Sequence, residues 1–123
     1  MRTILVVDDS PTMRRMIVAS LRDLGDVSFD QASSGLEAIE RLSLGPVDLV
    51  VLDLNMPDVH GLEVLRFVRA HARFDSVPVV VLTTRGDDES RQAALRGGAS
   101  RYLTKPFEPA TFAPEIDALL GAS

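Results

Sequence analysis

Short polar motifs follow several apolar runs in this 123-residue sequence, and their residue types suggest one common chemistry. The motifs are Asp8-Asp9, Asp53, Thr83-Thr84 and Lys105-Pro106. An aspartate after an apolar strand is costly unless it is paired, bound to a metal or exposed to water. If the three aspartates and the lysine converge, their charges sum to −2, which one divalent cation neutralises. The candidate ligands are all oxygens and the chain has no cysteine, so Mg²⁺ is the favoured ion.

Asp53 is the best candidate for a nucleophile among these residues. It stands alone after its apolar run, whereas Asp8 and Asp9 are adjacent and suit ion binding. A carboxylate beside Mg²⁺ and an ammonium group can attack a phosphoryl group and form an acyl phosphate. Lys105 is the only lysine among 13 lysine and arginine residues, which favours a site that needs a compact point charge rather than a planar guanidinium.

Alternation of apolar runs with helical periodicity predicts the elements that would position these residues. The predicted strands are Ile4–Val7, Val27–Ala32, Val47–Leu54, Val77–Leu82 and Tyr102–Leu103. The predicted helical stripes are Met13–Leu24, Leu36–Leu42, Leu62–Val68, Asp87–Arg96 and Phe112–Leu119. Apolar strands separated by helices predict a doubly wound α/β fold, with a five-stranded parallel sheet and helices on both faces. Ligands of such a sheet bind beyond the carboxyl ends of the strands, where the motifs lie.

Composition and charge exclude several classes of partner. The chain has 18 acidic and 13 basic residues and a net charge of −5, which argues against broad contact with nucleic acid or anionic membranes. Its apolar runs are far shorter than the ~18 residues of a membrane-spanning helix, and its start does not resemble a signal peptide. We therefore expect one domain over residues 1–123, located in the cytoplasm, without membrane insertion or nucleic-acid binding.

Taken together, the motifs resemble those of the receiver domains of two-component response regulators. The similar segments are Val6-Val7-Asp8-Asp9-Ser10, Asp53-Leu54-Asn55-Met56-Pro57 with Gly61, Thr83, and Lys105-Pro106-Phe107. They occur in the family's order along essentially the whole chain, most like the single-domain, chemotaxis-type (CheY-like) regulators, and we expect no output domain. The resemblance implies a flavodoxin-like fold with strand order 2-1-3-4-5. It also implies a phosphorylation-dependent switch, which catalyses only its own phosphorylation and dephosphorylation.

By position, the resemblance assigns the acidic residues to phosphoryl transfer and metal binding. Asp53 would accept a phosphoryl group from a histidine kinase or a phosphotransfer protein. Asp9, Asp53 and the backbone carbonyl of Asn55 would bind Mg²⁺ directly, and Asp8 would bind it through water.

The resemblance also implies which residues respond to the phosphoryl group. Lys105 would pair with the phosphoryl oxygens, and its peptide bond to Pro106 would be cis. Thr83 would hydrogen-bond the phosphoryl group, and Tyr102 would turn inward as Thr83 moves. A downstream protein would then bind the face formed by the fourth helix, the fifth strand and the fifth helix.

Three residues are expected to flank the path of the water that hydrolyses the acyl phosphate, and so to set its lifetime. They are Asn55, Thr84 and Arg85. Asn55 would leave room for the water, Thr84 adds bulk where the family often has alanine, and Arg85 would reach over the phosphoryl oxygens. We expect obstruction of the water by Thr84 and Arg85 to prolong the phosphorylated state.

Two further departures from the family's pattern concern helices. His60 stands where an aspartate is usual, which predicts a weaker N-cap for the third helix. Pro114 lacks an N–H inside the last helical stripe, which predicts that this helix starts late or kinks. On the first helix, Arg14 and Arg15 are expected to face solvent.

Two alternative functions remain open at this point. A flavin-binding, flavodoxin-like module would share the sheet, but it needs a Ser/Thr/Gly phosphate loop where this chain has Asp8 and Asp9. An aspartate-nucleophile phosphatase would need a second aspartate two residues after the nucleophile, where this chain has Asn55.

Overall fold

The computed structural model describes residues 1–56 and 58–122, and these residues form one parallel sheet with helices on both faces. The strands are β1 (Arg2–Val7), β2 (Val27–Ala32), β3 (Leu49–Leu52), β4 (Val79–Thr83) and β5 (Arg101–Thr104). The helices are α1 (Pro11–Leu21), α2 (Gly35–Leu44), α3 (Gly61–Ala70), α4 (Asp88–Arg96) and α5 (Pro109–Ala122), with a 3₁₀ turn at Arg22–Leu24. The strand order is β2-β1-β3-β4-β5, so the predicted fold class and strand order are confirmed.

The three central strands carry the most continuous apolar sequences. Every residue of β3 and β4 is buried, and so is β1 from Ile4 to Val7. The edge strands β2 and β5 contain polar residues and are mostly half-buried or exposed. A central parallel strand is covered on both faces and therefore needs apolar side chains on both, which explains why the central strands were the clearest in the sequence.

The two faces of the sheet form separate apolar clusters. On one face, α1 and α5 pack on the sheet through residues that include Ile4, Val6, Ile17, Leu21, Phe112 and Ile116. On the other face, α2 and α3 pack through residues that include Leu5, Val7, Leu42, Val64, Leu65 and Val68. Helix α4 buries only Ser90 and Ala94, and Ala94 packs in a small cluster with Leu54, Val81 and Tyr102. It therefore buries fewer residues than α1, α2 or α3.

Two apolar residues that helical spacing assigned to the core are about half exposed instead. They are Met16 of α1 and Leu36 of α2. Each stands two residues before a buried residue, Val18 or Ala38, and so lies roughly 200° around the helix from it. Both side chains are therefore outside the stripe that faces the sheet. Among the described residues, no helix is both long and apolar enough to cross a membrane.

Pro114 lies inside α5 and does not delay its start. The helix begins at Pro109, so the prediction of a late start is wrong. Pro109 occupies the first helical position, where a missing N–H costs little. The ring of Pro114, in contrast, removes the N–H that would bond to the carbonyl of Ala110. The buried side chains of Phe112 and Ile116, on either side of Pro114, hold the helix on the sheet.

We predict that Pro114→Ala raises the free energy of unfolding by about 1–3 kcal/mol, because alanine restores the N–H and has the highest helix propensity. Pro109→Ala is the matched control and should change stability by less than about 0.5 kcal/mol. Urea unfolding followed by circular dichroism measures both variants. An unchanged unfolding midpoint for Pro114→Ala would contradict the expected helix strain.

Candidate functional site

The acidic residues lie together because the parallel strand pairing continues past the strand ends. The N–H of Asp53 donates to the carbonyl of Val7 at 3.0 Å, and the N–H of Asp8 donates to the carbonyl of Ala32 at 3.1 Å. Carboxylate oxygens of Asp8, Asp9 and Asp53 lie within 4.8 Å of one another. The structure thus brings together the three aspartates that the sequence pattern singled out.

Lys105 reaches into this acidic cluster from the segment after β5. Its Nζ lies 2.8 Å from Oδ2 of Asp8 and 3.4 Å from Oδ2 of Asp53. The side chains of Lys105, Asp8 and Asp53 are only 11%, 2% and 6% exposed. Burial alone would lower the pKa of Lys105, but the hydrogen bond to Asp8 and the charge of Asp53 raise this pKa above its usual value. The ammonium group therefore stays charged, and the peptide bond to Pro106 is cis, as the resemblance implies.

The two buried carboxylates are held in the same way. Oδ1 of Asp8 accepts the N–H of Ser10 at 2.9 Å, and Oδ1 of Asp53 accepts the N–H of Asn55 at 3.2 Å. The other oxygen of each carboxylate bonds to the lysine. Asp9, in contrast, is exposed, and within the described residues its carboxylate accepts no hydrogen bond. This oxygen-only set, with two fixed carboxylates and one at the surface, fits a hard divalent cation.

Helix α3 begins directly against the loop that carries Asp53. A Cβ on Gly61 would lie 2.5 Å from the carbonyl oxygen of Asp53, so only glycine allows this approach. The Gly61 N–H donates to the carbonyl of Leu54 at 3.2 Å. His60 is the N-cap of α3, and its Nδ1 accepts the N–H of Leu62 at 3.1 Å. The histidine ring therefore supplies a side-chain acceptor at the N-cap that we expected to be weak.

Asp58 connects the loop between β3 and α3 to the start of α2. Its two carboxylate oxygens accept the N–H groups of Gly35 and Leu36, each at 3.1 Å. Hydrogen bonds from the backbone, that of Leu36 first, lower the pKa of Asp58 below its usual value. Pro57, which belongs to the motif identified in the sequence, lies outside the described residues.

The two threonines lie at the carboxyl end of β4, where Thr83 is the last residue of the strand and Thr84 begins the next loop. Thr83 is fully buried, and its Oγ1 accepts the N–H of Arg85 at 3.4 Å. The side chain of Asn55 donates to Oγ1 of Thr84 at 3.4 Å and so joins the β3 and β4 loops. Nε of Arg85 lies 3.8 Å from Oδ1 of Asp87, and both side chains are about half exposed. Arg85 thus forms an ion pair within its own loop, and its expected reach over the phosphoryl oxygens stays a prediction.

Tyr102 of β5 already occupies an inward position. Its ring packs with Leu54, Val81 and Ala94, and its hydroxyl donates to the backbone carbonyl of Arg85. Burial raises the pKa of the Tyr102 phenol, so the hydroxyl keeps the proton that it donates. The inward side chain thereby links β5 to the loop that follows Thr83.

Arg14 is a neighbour of the site whose contacts were not expected from the sequence. It is half-buried, its Nη1 donates to the carbonyl of Asp8 at 2.5 Å, and its Nε donates to Oε1 of Gln31 at 3.1 Å. The expectation that Arg14 faces solvent is therefore wrong. Side chains on a helix lean toward its N-terminus, and this direction was the available signal, because the loop of Asp8 precedes α1. Arg15 is exposed, as expected.

Comparison with known proteins agrees with this geometry. The model of the response regulator receiver domain matches residues 4–117. Chemotaxis protein CheY1 of Helicobacter pylori is 36% identical over 121 residues, which cover 98% of each chain. A putative response regulator from Chloroflexus aurantiacus has a TM-score of 0.91 and 32% identity, and the match covers 98% of both chains. The receiver domain of a Pseudomonas aeruginosa sensor histidine kinase has a TM-score of 0.87 and 28% identity over 98% of both, and was solved with magnesium in its active-site cleft.

The chain therefore belongs to the response regulator receiver family. It is a receiver domain of the CheY type, that is, a phosphorylation-dependent signalling switch. The flavin-binding and phosphatase alternatives are not favoured, since the relatives are chemotaxis regulators and receiver domains.

We predict that Asp58→Ala lowers stability at pH 7, because alanine offers no acceptor to the two N–H groups of α2. The pKa of Asp58 is lower in the folded chain, so the contribution of its carboxylate is present above the unfolded pKa, about 3.9. That contribution is lost as the pH falls through the folded-state pKa. The stability difference between the wild type and Asp58→Ala should therefore narrow between pH 7 and pH 3, as measured by urea unfolding.

Asp117→Ala is the control for this experiment. Asp117 is an exposed carboxylate on α5 that forms no hydrogen bond or ion pair with the rest of the described chain. The difference in free energy of unfolding between the wild type and Asp117→Ala should not change with pH. If the difference for Asp58→Ala also stays constant with pH, the proposed role of the Asp58 carboxylate is ruled out.

Proposed function

We propose that Asp53 is the phosphoacceptor of this switch and receives its phosphoryl group from a phosphohistidine on a histidine kinase or phosphotransfer protein. The observation that carries the proposal is the buried Asp53 carboxylate, 3.4 Å from the Lys105 ammonium and within 4.8 Å of two more carboxylates. In the transfer, a carboxylate oxygen of Asp53 bonds to phosphorus as the phosphorus–nitrogen bond of the donor breaks, and imidazole leaves. Beyond this transfer and the later loss of phosphate, we propose no enzymatic activity.

The proposed Mg²⁺ ligands are Asp9, Asp53 and the backbone carbonyl of Asn55, with Asp8 acting through water. The support is the oxygen-only donor set and the magnesium ion in the related Pseudomonas aeruginosa receiver domain. When bound, Mg²⁺ supplies positive charge that offsets the repulsion between the carboxylates and the incoming phosphoryl oxygens. Asp8 and Asp53 are held in place for this purpose by Lys105 and by backbone N–H groups.

Lys105 and Thr83 are proposed to bind the phosphoryl oxygens after transfer. The Lys105 ammonium already lies between the two buried carboxylates and keeps its proton. Among the described residues, the Thr83 hydroxyl accepts the backbone N–H of Arg85 and donates to no other group, so its proton can be donated to a phosphoryl oxygen. Tyr102 bonds to the carbonyl of the same Arg85, so a shift of Thr83 is transmitted to β5. The switch is then a change in the populations of two conformations.

We propose that a downstream protein binds the face formed by α4, β5 and α5, which contains Tyr102. The acidic chain is not proposed to bind nucleic acid, and we place its function in the cytoplasm. The loop before α4 links this face to Thr83, because the Arg85 N–H donates to the Thr83 hydroxyl and the Arg85 carbonyl accepts the Tyr102 hydroxyl.

Incubation with a small acyl phosphate and Mg²⁺ should add one phosphoryl group, read as the intact mass of the protein. Asp53→Asn should add none, and chelation of Mg²⁺ should slow the reaction at least about tenfold. Asp26→Asn, an exposed carboxylate before β2, is the control and should react like the wild type. A phosphoryl group that Asp53→Asn still acquires would refute the assignment of the phosphoacceptor.

We further expect Thr84→Ala to speed the loss of phosphate by roughly 2- to 10-fold. The substitution removes both the side-chain bulk and the bond to Asn55, and a lost hydrogen bond of about 0.5–1.5 kcal/mol corresponds to such a factor. Arg85→Ala should speed the loss less, because Arg85 pairs with Asp87.

Thr84→Ser keeps the hydroxyl oxygen and is the matched control for the lifetime. Its decay should lie closer to that of the wild type, when the phosphorylated protein is followed with Mg²⁺ present and without a partner. Equal or slower decay in Thr84→Ala would show that this side chain does not restrict the water.

A further inference from the structure

Arg14 connects three parts of the molecule around the acidic cluster. It lies on α1, its Nη1 donates to the carbonyl of Asp8 in the β1–α1 loop, and its Nε donates to Gln31 of β2. The carbonyl that it bonds belongs to the peptide unit between Asp8 and Asp9. Within the described residues, no other group donates a hydrogen bond to this carbonyl.

The peptide between Asp8 and Asp9 matters because the Asp9 side chain is not held otherwise. The carboxylates of Asp8 and Asp53 are each fixed by Lys105 and by a backbone N–H, whereas the described residues donate no hydrogen bond to the Asp9 carboxylate. The direction of Asp9 therefore depends on the orientation of the backbone before it. Rotation of the Asp8–Asp9 peptide would move the Asp9 carboxylate away from the other two.

We propose that Arg14 is a positioning residue for the metal site: it fixes the Asp8–Asp9 peptide so that Asp9 points at the cation. The inference rests on the proposed Mg²⁺ site. Gln31 holds the guanidinium from β2, so the bond to the carbonyl is supported from a second element. Groups that orient metal ligands from outside the coordination shell affect metal affinity by about 10- to 100-fold in other proteins.

The sign of the effect separates positioning from simple electrostatics. Arg14 carries a positive charge near a cation site, so removal of this charge alone would strengthen Mg²⁺ binding. Loss of the hydrogen bond from Arg14 to the Asp8 carbonyl would instead weaken Mg²⁺ binding. The Arg14 guanidinium forms no ion pair within 4.0 Å in the described structure and is partly exposed, so solvent screens its charge. We therefore expect the loss of positioning to dominate.

Isothermal titration of the full chain with MgCl₂, without a phosphoryl donor, tests this role. Arg14→Ala should weaken Mg²⁺ binding by about tenfold, and Arg14→Lys, which keeps one donor, should recover part of the loss. Gln31→Ala should weaken binding about two- to threefold, because it removes only the support of the guanidinium. Arg15→Ala is the charge-matched control: Arg15 is exposed, and within the described part of the chain its side chain bonds only to Thr12, so Mg²⁺ binding should stay the same or tighten slightly.

A second measurement excludes a general effect on folding. The Mg²⁺ concentration that gives half the maximal phosphorylation rate should rise about tenfold in Arg14→Ala, whereas the rate at saturating Mg²⁺ stays within about twofold of the wild type. Equal or tighter Mg²⁺ binding in Arg14→Ala, with normal binding in the wild type, would overturn the positioning role alone. Absence of Mg²⁺ binding in the wild type would instead overturn the proposed metal site itself.

Discussion

The bonds from the Lys105 ammonium to the carboxylates of Asp8 and Asp53 are the interaction on which the rest of the site depends. These three charges come from the ends of β1, β3 and β5 and are almost completely buried. An unpaired buried charge costs several kcal/mol, and removal of one partner leaves the others uncompensated. The three strand ends must therefore meet at one edge in register. The lysine acts less as a source of stability than as a constraint on how the sheet is assembled.

The doubly wound topology meets this constraint at the place where the strand order reverses. Strand β2 lies on one side of β1 and strand β3 lies on the other. The loops after β1 and β3 therefore run in opposite directions and leave a crevice between them. The carboxylates lie in that crevice, and the loops are held from outside it. Arg14 holds the first loop through the carbonyl of Asp8, and Asp58 holds the second through the start of α2. These contacts hold the loops from outside the crevice, in addition to the N–H bonds that the carboxylates of Asp8 and Asp53 accept within their own loops.

The sheet and the charged centre could be predicted from the sequence because both follow from one rule: parallel strands end at the same edge. Asp8, Asp9, Asp53 and Lys105 each stand next to a strand, so their meeting needed no knowledge of side-chain conformation. The directions of Arg14 and Arg85 could not be predicted in the same way. A long charged side chain has many rotamers of similar energy, and partners on other segments select among them. Arg14 bonds to a carbonyl in the preceding loop and to Gln31 on β2, and Arg85 forms an ion pair with Asp87 in its own loop.

The light packing of α4 has a consequence for the way the native molecule opens. A helix that buries only Ser90 and Ala94 gains little from contact with the sheet, so we expect its free energy of local opening to lie well below that of global unfolding. The amide hydrogens of α4 should therefore exchange with solvent through local fluctuations, whereas those of β1, β3 and β4 exchange only when the whole domain unfolds. Signalling proteins use such regions because a few kcal/mol of ligand energy can redistribute their conformations. In this chain the easily opened helix is α4, and the loop before it bonds to both Thr83 and Tyr102.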